Sequence, residues 1–212
     1  MTEILKHDHE GLSRAAMLMF QGEVIVTPTD TIYGLSCDAS NIAAINKVYA
    51  LKERSHDKVM PIFVSSLEEA MKIAYFPEGA VMLAKKFWPG PLTLVLKGRT
   101  EALLGNTQRG IGHLCMEDGT LAIRVSSSDT ITALLKLLKR PMITTSANKS
   151  GQDPLSDPTK IAVVFGPALA AVLRDHKTSA TELLGAQAST IVRCLEGKEI
   201  EVLRQGAVNI NG

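Results

Sequence analysis

Short apolar runs alternate with amphipathic stretches along most of this chain. In residues 9–21, Leu12, Ala15, Ala16, Leu18 and Met19 recur at helical spacing, and Gly22 stands where a helix would stop. Residues 22–26 form a short β-branched run bounded by turn formers and read as a strand. Ser40-Asn41 can cap a second helix, with Ile42, Ile45, Val48, Tyr49 and Leu51 on its buried side. Residues 60–64 read as a strand, and Ser65-Ser66 caps a helix over 67–74. A further amphipathic helix over 78–88 is stopped by Pro89-Gly90-Pro91, after which residues 92–96 alternate as a strand. Residues 99–119 hold no sustained period and read as a long loop. A strand over 120–125, a helix over 129–139 and a short strand over 142–144 follow. Asp157 then caps a helix over 158–165, and residues 190–194 and 200–203 form two late strands around Gly197, close enough to be antiparallel. Strands and helices alternate without a repeat or a linker rich in Pro, Gly or Ser. The pattern predicts an α/β fold, a single domain with a twisted, mixed parallel/antiparallel sheet and flanking helices.

Composition narrows the classes. The 212 residues are 45% hydrophobic and 21% charged, enough for one sizeable core or at most two small ones. The formal net charge of +1 gives no global pull on a polyanion, so a basic site must be local. Cys37, Cys115 and Cys194 lie far apart with no CxxC pair, which suggests neither a zinc site nor a disulfide framework. His7, His9, His56, His113 and His176 show no metal-ligand spacing and are expected at the surface or in loops; no metal site is expected. The first residues are polar rather than a signal peptide, and no run is long enough to span a bilayer. The expected location is cytoplasmic.

No GxxxxGK[ST], GxGxxG or GxSxG is present, which argues against ordinary Walker, Rossmann or hydrolase sites. What remains is a set of polar clusters at element ends. The first is Thr29-Asp30-Thr31 with Tyr33, directly after the first core strand, which reads equally well as a turn. Lys52, Arg54 and Lys58 crowd one helix end, where they suit either the helix dipole or a polyphosphate. Thr120 and Arg124 share one face of a strand, and an arginine in an apolar strand needs an anionic partner unless the strand is a solvated edge. Residues 144–151 form a hydroxyl-rich loop that can cap a helix or cradle a phosphate. Ser189-Thr190 and Arg204-Gln205-Gly206 complete the set and could equally be polar strand ends.

Seven stretches occur in an order that resembles the YrdC-like family, the threonylcarbamoyl-AMP synthases. They are Pro28-Thr29-Asp30-Thr31-Ile32-Tyr33-Gly34-Leu35, Lys52-x-Arg54, Trp88-Pro89-Gly90-Pro91-Leu92-Thr93, Ala122-Ile123-Arg124-Val125, Ser146-Ala147-Asn148-x-Ser150-Gly151, Ser189-Thr190-Ile191-Val192 and Leu203-Arg204-Gln205-Gly206. Each alone is weak; the resemblance as a whole covers residues 22–206. The resemblance implies a YrdC-like fold with a large basic cleft. It also implies an enzyme, a nucleotidyltransferase that makes threonylcarbamoyl-AMP and pyrophosphate from L-threonine, bicarbonate or CO2, and ATP. A tRNA-modifying transferase partner would then place the threonylcarbamoyl group on an adenosine beside the anticodon.

By the same resemblance Thr31, Phe63, Arg124, Thr144 and Ser189 face L-threonine. Lys52, Arg54, Lys58, Thr120, Ser146, Asn148 and Arg204 face ATP, with Lys52 and Arg54 as the catalytic cations and Mg2+ carried on the phosphates. The chain departs from the family pattern at Thr27, where tyrosine is frequent, at Lys58-Val59-Met60-Pro61, at Ser126 in place of proline, and in a longer 105–119 stretch. Some family members carry an extra C-terminal domain; the chain ends soon after Arg204, so a single domain over 1–212 with its core at 9–206 is expected. The competing reading is a non-catalytic module that binds tRNA or double-stranded RNA through the same cleft.

Overall fold

The computed structural model describes residues 2–55, 60–100, 114–174 and 187–210. Ten strands form one sheet: β1 (Glu3–Leu5), β2 (Ile25–Thr27), β3 (Gly34–Asp38), β4 (Ile62–Phe63), β5 (Leu92–Lys97), β6 (Thr120–Arg124), β7 (Met142–Ser146), β8 (Ala171–Leu173), β9 (Thr190–Cys194) and β10 (Ile200–Arg204), in the order β1-β8-β2-β3-β7-β4-β6-β5-β9-β10. The sheet is mixed, as the sequence predicts. β4 pairs parallel with β6 and antiparallel with β7, and β9 and β10 form the expected antiparallel hairpin.

All but one of the described α-helices begin where a short polar side chain meets free N–H groups. Asp8 caps α1 (His9–Phe20), Asn41 caps α2 (Ile42–Lys52) and Ser66 caps α3 (Leu67–Ile73). α4 (Glu78–Phe87) follows Pro77, Ser128 caps α5 (Asp129–Leu138), and Asp157 caps α6 (Pro158–Phe165) with proline inside its first turn. Three strands escaped the sequence reading. β3 is a buried run of Gly, Leu, Ser, Cys and Asp whose polar content resembles a loop; β1 and β8 are three residues each and carry no period.

Strand alternation separates two cores. Val24, Val26, Leu35, Cys37, Leu94, Leu96 and Ile143 belong to the larger one, together with Ala44, Ile45 and Val48 of α2 and Ile161 of α6. On the opposite face Ile25, Phe63, Met142, Ala171 and Leu173 lie under Ala15 and Met19 of α1 and Ile131, Leu134 and Leu138 of α5. Ser36 lies opposite Ile25, and Thr144 opposite Ser36, so both share this second face. Its apolar end is therefore roofed by α1 and α5, and its other end carries hydroxyls and a guanidinium.

Close approach of β3 to β7 depends on Gly34. A Cβ there would stand 2.4 Å from Thr144 Cγ2 and 3.2 Å from the Thr145 carbonyl oxygen. Gly34→Ala is predicted to lose about 1–3 kcal/mol by forcing the two strands apart. Urea denaturation checks this, and an unchanged midpoint would show that β7 gives way freely.

Candidate active site

The loop after β2 is knitted by Thr29, whose hydroxyl accepts from the N–H groups of Thr31 (3.1 Å) and Ile32 (3.2 Å) and donates to the Ile32 carbonyl (2.6 Å). This Ser/Thr turn projects Asp30 and Thr31 toward the end of β6. There Arg124, only 4% exposed, donates from Nε to the Gly90 carbonyl (3.2 Å) and from Nη1 to the Thr31 hydroxyl (3.4 Å). Its carbon Cζ lies 5.3 Å from the centre of the Phe63 ring. Nη2 stands 2.7 Å from Asp30 Oδ1, an ion pair without an aligned N–H···O bond. The anionic partner that an arginine in an apolar strand requires is thus supplied by the chain itself. Ser126 and Ser127 both donate to the Asp30 carboxylate. Burial pushes that carboxyl up, but Arg124 and the Ser126 hydroxyl outweigh it, so it is held below the usual carboxylate range.

A second cation is buried at the end of α2. Lys52 is 1% exposed, and its ammonium donates to the carbonyls of Ser146 (2.6 Å) and Asn148 (3.0 Å) and to Asn148 Oδ1 (2.9 Å). The Lys52 carbonyl in turn accepts from Ser150 N–H at 2.8 Å. The hydroxyl-rich loop after β7 is thus built over the lysine, which lies beneath the loop. Burial first, and Arg54 second, lower its pKa to about 8. On the far side, Arg204 donates twice to the Ser189 carbonyl (3.2 and 2.8 Å), and Ser189 Oγ lies 2.9 Å from Thr93 Oγ1. Thr190 accepts from Gly206 N–H (3.0 Å) and donates to the Val208 carbonyl (2.6 Å), pinning the segment after β10.

These parts converge on one cleft of about 440 Å³, which Thr31, Arg54, Phe63, Arg124, Thr144, Ser146, Asn148, Ser189 and Arg204 all line. The only charged side chains among the described lining residues are Arg54, Arg124 and Arg204. Burial, then the fields of Arg124 and Arg54, depress the Arg204 pKa, as expected of like charges facing a common space. Lys52 and Thr120 are not in the wall: Thr120 binds Asp118 through its hydroxyl (2.6 Å), and Lys52 supports the loop above it. Lys58 and residues 105–113 lie outside the described residues. Among the described residues no group of three or more His, Cys, Asp or Glu converges. The donor set of the cleft suits anions, so the residues present offer a magnesium ion no cage of their own; phosphates would have to carry it. No helix among the described residues is long and apolar enough to cross a membrane.

Comparison with known proteins decides the family. Residues 17–206 match the model of the Sua5, YciO and YrdC proteins, described as telomere recombination. The chain belongs to the Sua5–YciO–YrdC family. It is 28% identical over 209 residues to the threonylcarbamoyl-AMP synthase of Bacillus subtilis, covering 98% of this chain and 57% of that protein. It is 30% identical over 195 residues to the threonylcarbamoyl-AMP synthase of Pyrococcus abyssi, covering 92% and 53%. The chain therefore spans little more than half the length of these relatives. P. abyssi Sua5 complexed with L-threonine superposes with a TM-score of 0.81 at 27% identity, over 97% of this chain and 57% of that one. Escherichia coli YciO matches in fold over 99% of this chain and 98% of its own, with a TM-score of 0.84 at 22% identity.

Within this family member the sequence missed Asp30 as partner of Arg124, and the hydroxyls of Thr27 and Ser36 behind Thr144. Asp30 had one visible signal, its place beside Thr31 in a polar loop; the other two sit on strands whose pairing was not legible. The Lys52 shift has a pH signature. Its folded pKa of about 8 is below the unfolded value near 10.4, so the unfolded chain holds more protons between those pH values. Stability from this group rises with pH across that window. Wild type is predicted to gain stability relative to Lys52→Met from pH 8 to 10 in chemical denaturation; a flat difference would show an unperturbed lysine.

Proposed function

We propose that this protein is a threonylcarbamoyl-AMP synthase: it joins L-threonine, bicarbonate or CO2, and ATP into threonylcarbamoyl-AMP and pyrophosphate. The observation that carries the reading is the single cleft in which three arginines and a set of Thr, Ser and Asn side chains face each other with no carboxylate among the described lining residues. Two of the three substrates are anions and the third, L-threonine, brings a carboxylate. Family membership and the two synthases among its relatives support the same assignment.

The geometry suggests a division of the cleft. Arg124 and Thr31 take the threonine carboxylate, with Phe63, Thr144 and Ser189 around the amino acid. Arg54, Arg204, Ser146 and Asn148 take the triphosphate, and the resemblance assigns Lys58 to the same side. L-Threonine enters as its free amine, the nitrogen adds to the carbon of CO2, and the proton it sheds passes to solvent as the carbamate forms. A carbamate oxygen then attacks the α-phosphorus, the bond to the β-phosphate oxygen breaks, and pyrophosphate departs against Arg54. Positioning and charge neutralisation are the main contributions, and no side chain is required as a general base. Lys52 contributes by holding the loop that carries Ser146 and Asn148. The product passes to a tRNA-modifying transferase. A module that binds tRNA or double-stranded RNA without catalysis is less well supported, because a cleft of about 440 Å³ around a buried guanidinium has small-ligand dimensions.

Purified protein with ATP and Mg2+ is expected to release pyrophosphate only when L-threonine and bicarbonate are both present. Failure to form threonylcarbamoyl-AMP under those conditions defeats the proposal. Arg124→Ala is predicted to abolish L-threonine binding in calorimetry. Because it also strands Asp30, at a cost of about 3–5 kcal/mol, the double variant Asp30→Asn/Arg124→Gln serves as the charge-balanced control and should lose binding as well. Wild-type affinity in either variant would remove Arg124 from the site.

A further inference from the structure

Behind the cleft runs a chain of three buried hydroxyls. Thr27 on β2 and Ser36 on β3 are fully buried, and Thr144 on β7 is 4% exposed. Thr27 Oγ1 lies 2.7 Å from Ser36 Oγ, which lies 3.1 Å from Thr144 Oγ1. The three stand on neighbouring strands on one face, since Ser36 is directly opposite Thr144 and Thr27 is opposite Gly34. Only Thr144 reaches the cleft wall.

Each hydroxyl has one proton to give, which fixes the direction of the chain. Among the described residues the only hydrogen-bonding partner of the Thr27 side chain is Ser36, and a buried hydroxyl that cannot donate is costly. Thr27 therefore donates to Ser36. Ser36 has two acceptors in range, Thr144 Oγ1 at 3.1 Å and the Gly34 carbonyl at 3.4 Å, and the shorter contact takes the proton. Thr144 then receives a bond from behind, and its own proton is left to point into the cleft.

We infer that Thr27 and Ser36 are positioning residues that set Thr144 as a hydrogen-bond donor to an oxygen of the amino-acid substrate. The inference rests on the synthase reading and deepens it. A site arranged in this way offers the amino acid a hydrogen-bond donor at that place. The two buried hydroxyls act through Thr144 and touch no substrate themselves.

The test replaces both supporting hydroxyls together, Thr27→Val/Ser36→Ala, so that neither is left without a partner. The KM for L-threonine in pyrophosphate release is expected to rise about 3- to 10-fold, because the Thr144 hydroxyl loses the bond that holds it, while the KM for ATP stays at its wild-type value. Thr27→Ser, which keeps the donor, is expected to retain wild-type affinity for L-threonine. An unaltered KM for L-threonine in the double variant overturns the inference. A parallel rise in both KM values also overturns it, since that is what general loosening of the sheet would do. Thr27→Val alone, which keeps the side-chain shape, gives the same two-way reading should the double variant fold poorly. Absence of L-threonine-dependent turnover in the wild type would instead defeat the synthase reading, and the inference with it.

Discussion

A guanidinium buried at the end of an otherwise apolar strand is the constraint around which the rest of the cleft is arranged. Arg124 cannot shed its charge, so the fold must satisfy it. Three segments far apart in sequence do so: the loop after β2 brings Asp30 and Thr31, the Trp88–Leu92 connection brings the Gly90 carbonyl, and β4 brings the Phe63 ring. Desolvation of such a pair can exceed its Coulombic gain, and removing one partner is strongly destabilising. Its persistence here is better explained by function than by stability. Asp30 leans on Ser126 and Ser127, so the carboxylate that balances the charge is held by the start of the next helix and stays out of the cleft wall.

The cleft follows from the sheet. One face is shared between an apolar end under α1 and α5 and a polar end that no described helix covers in the same way. Lys52 completes the polar end from below, ordering the 146–151 loop through carbonyl contacts that leave Ser146 and Asn148 in the wall. Arg204 is tied to the Ser189 backbone, so the end of β10 and the start of β9 are held together at the cleft wall. Buried hydroxyls that bond one another across strands are specific to one register, because a shift by a single residue would move every one of them to the other face.

Much of this was legible in the chain. Helix caps were readable at Asn41, Ser66 and Asp157 because capping is local chemistry. Of the residues singled out in the sequence, Thr31, Arg54, Phe63, Arg124, Thr144, Ser146, Asn148, Ser189 and Arg204 line one cleft, whereas Lys52 and Thr120 do not. The pairing of Arg124 with Asp30 was not legible: the two lie 94 positions apart, and nothing local to either announces the other. Nor was the burial of Lys52, where a helix-end lysine beside Arg54 looked like a solvent-facing phosphate ligand. β3 was missed because a strand buried on both faces and carrying Ser, Cys and Asp lacks the alternation by which strands are recognised.

The position of bound L-threonine decides most directly whether the cleft works in this way. A structure of the complex should place the carboxylate within hydrogen-bond distance of Arg124 Nη1 and the Thr31 hydroxyl, with the Asp30–Arg124 pair intact. L-threonine bound away from the arginine-lined cleft, or an Arg124 turned away from it, would contradict the central claim.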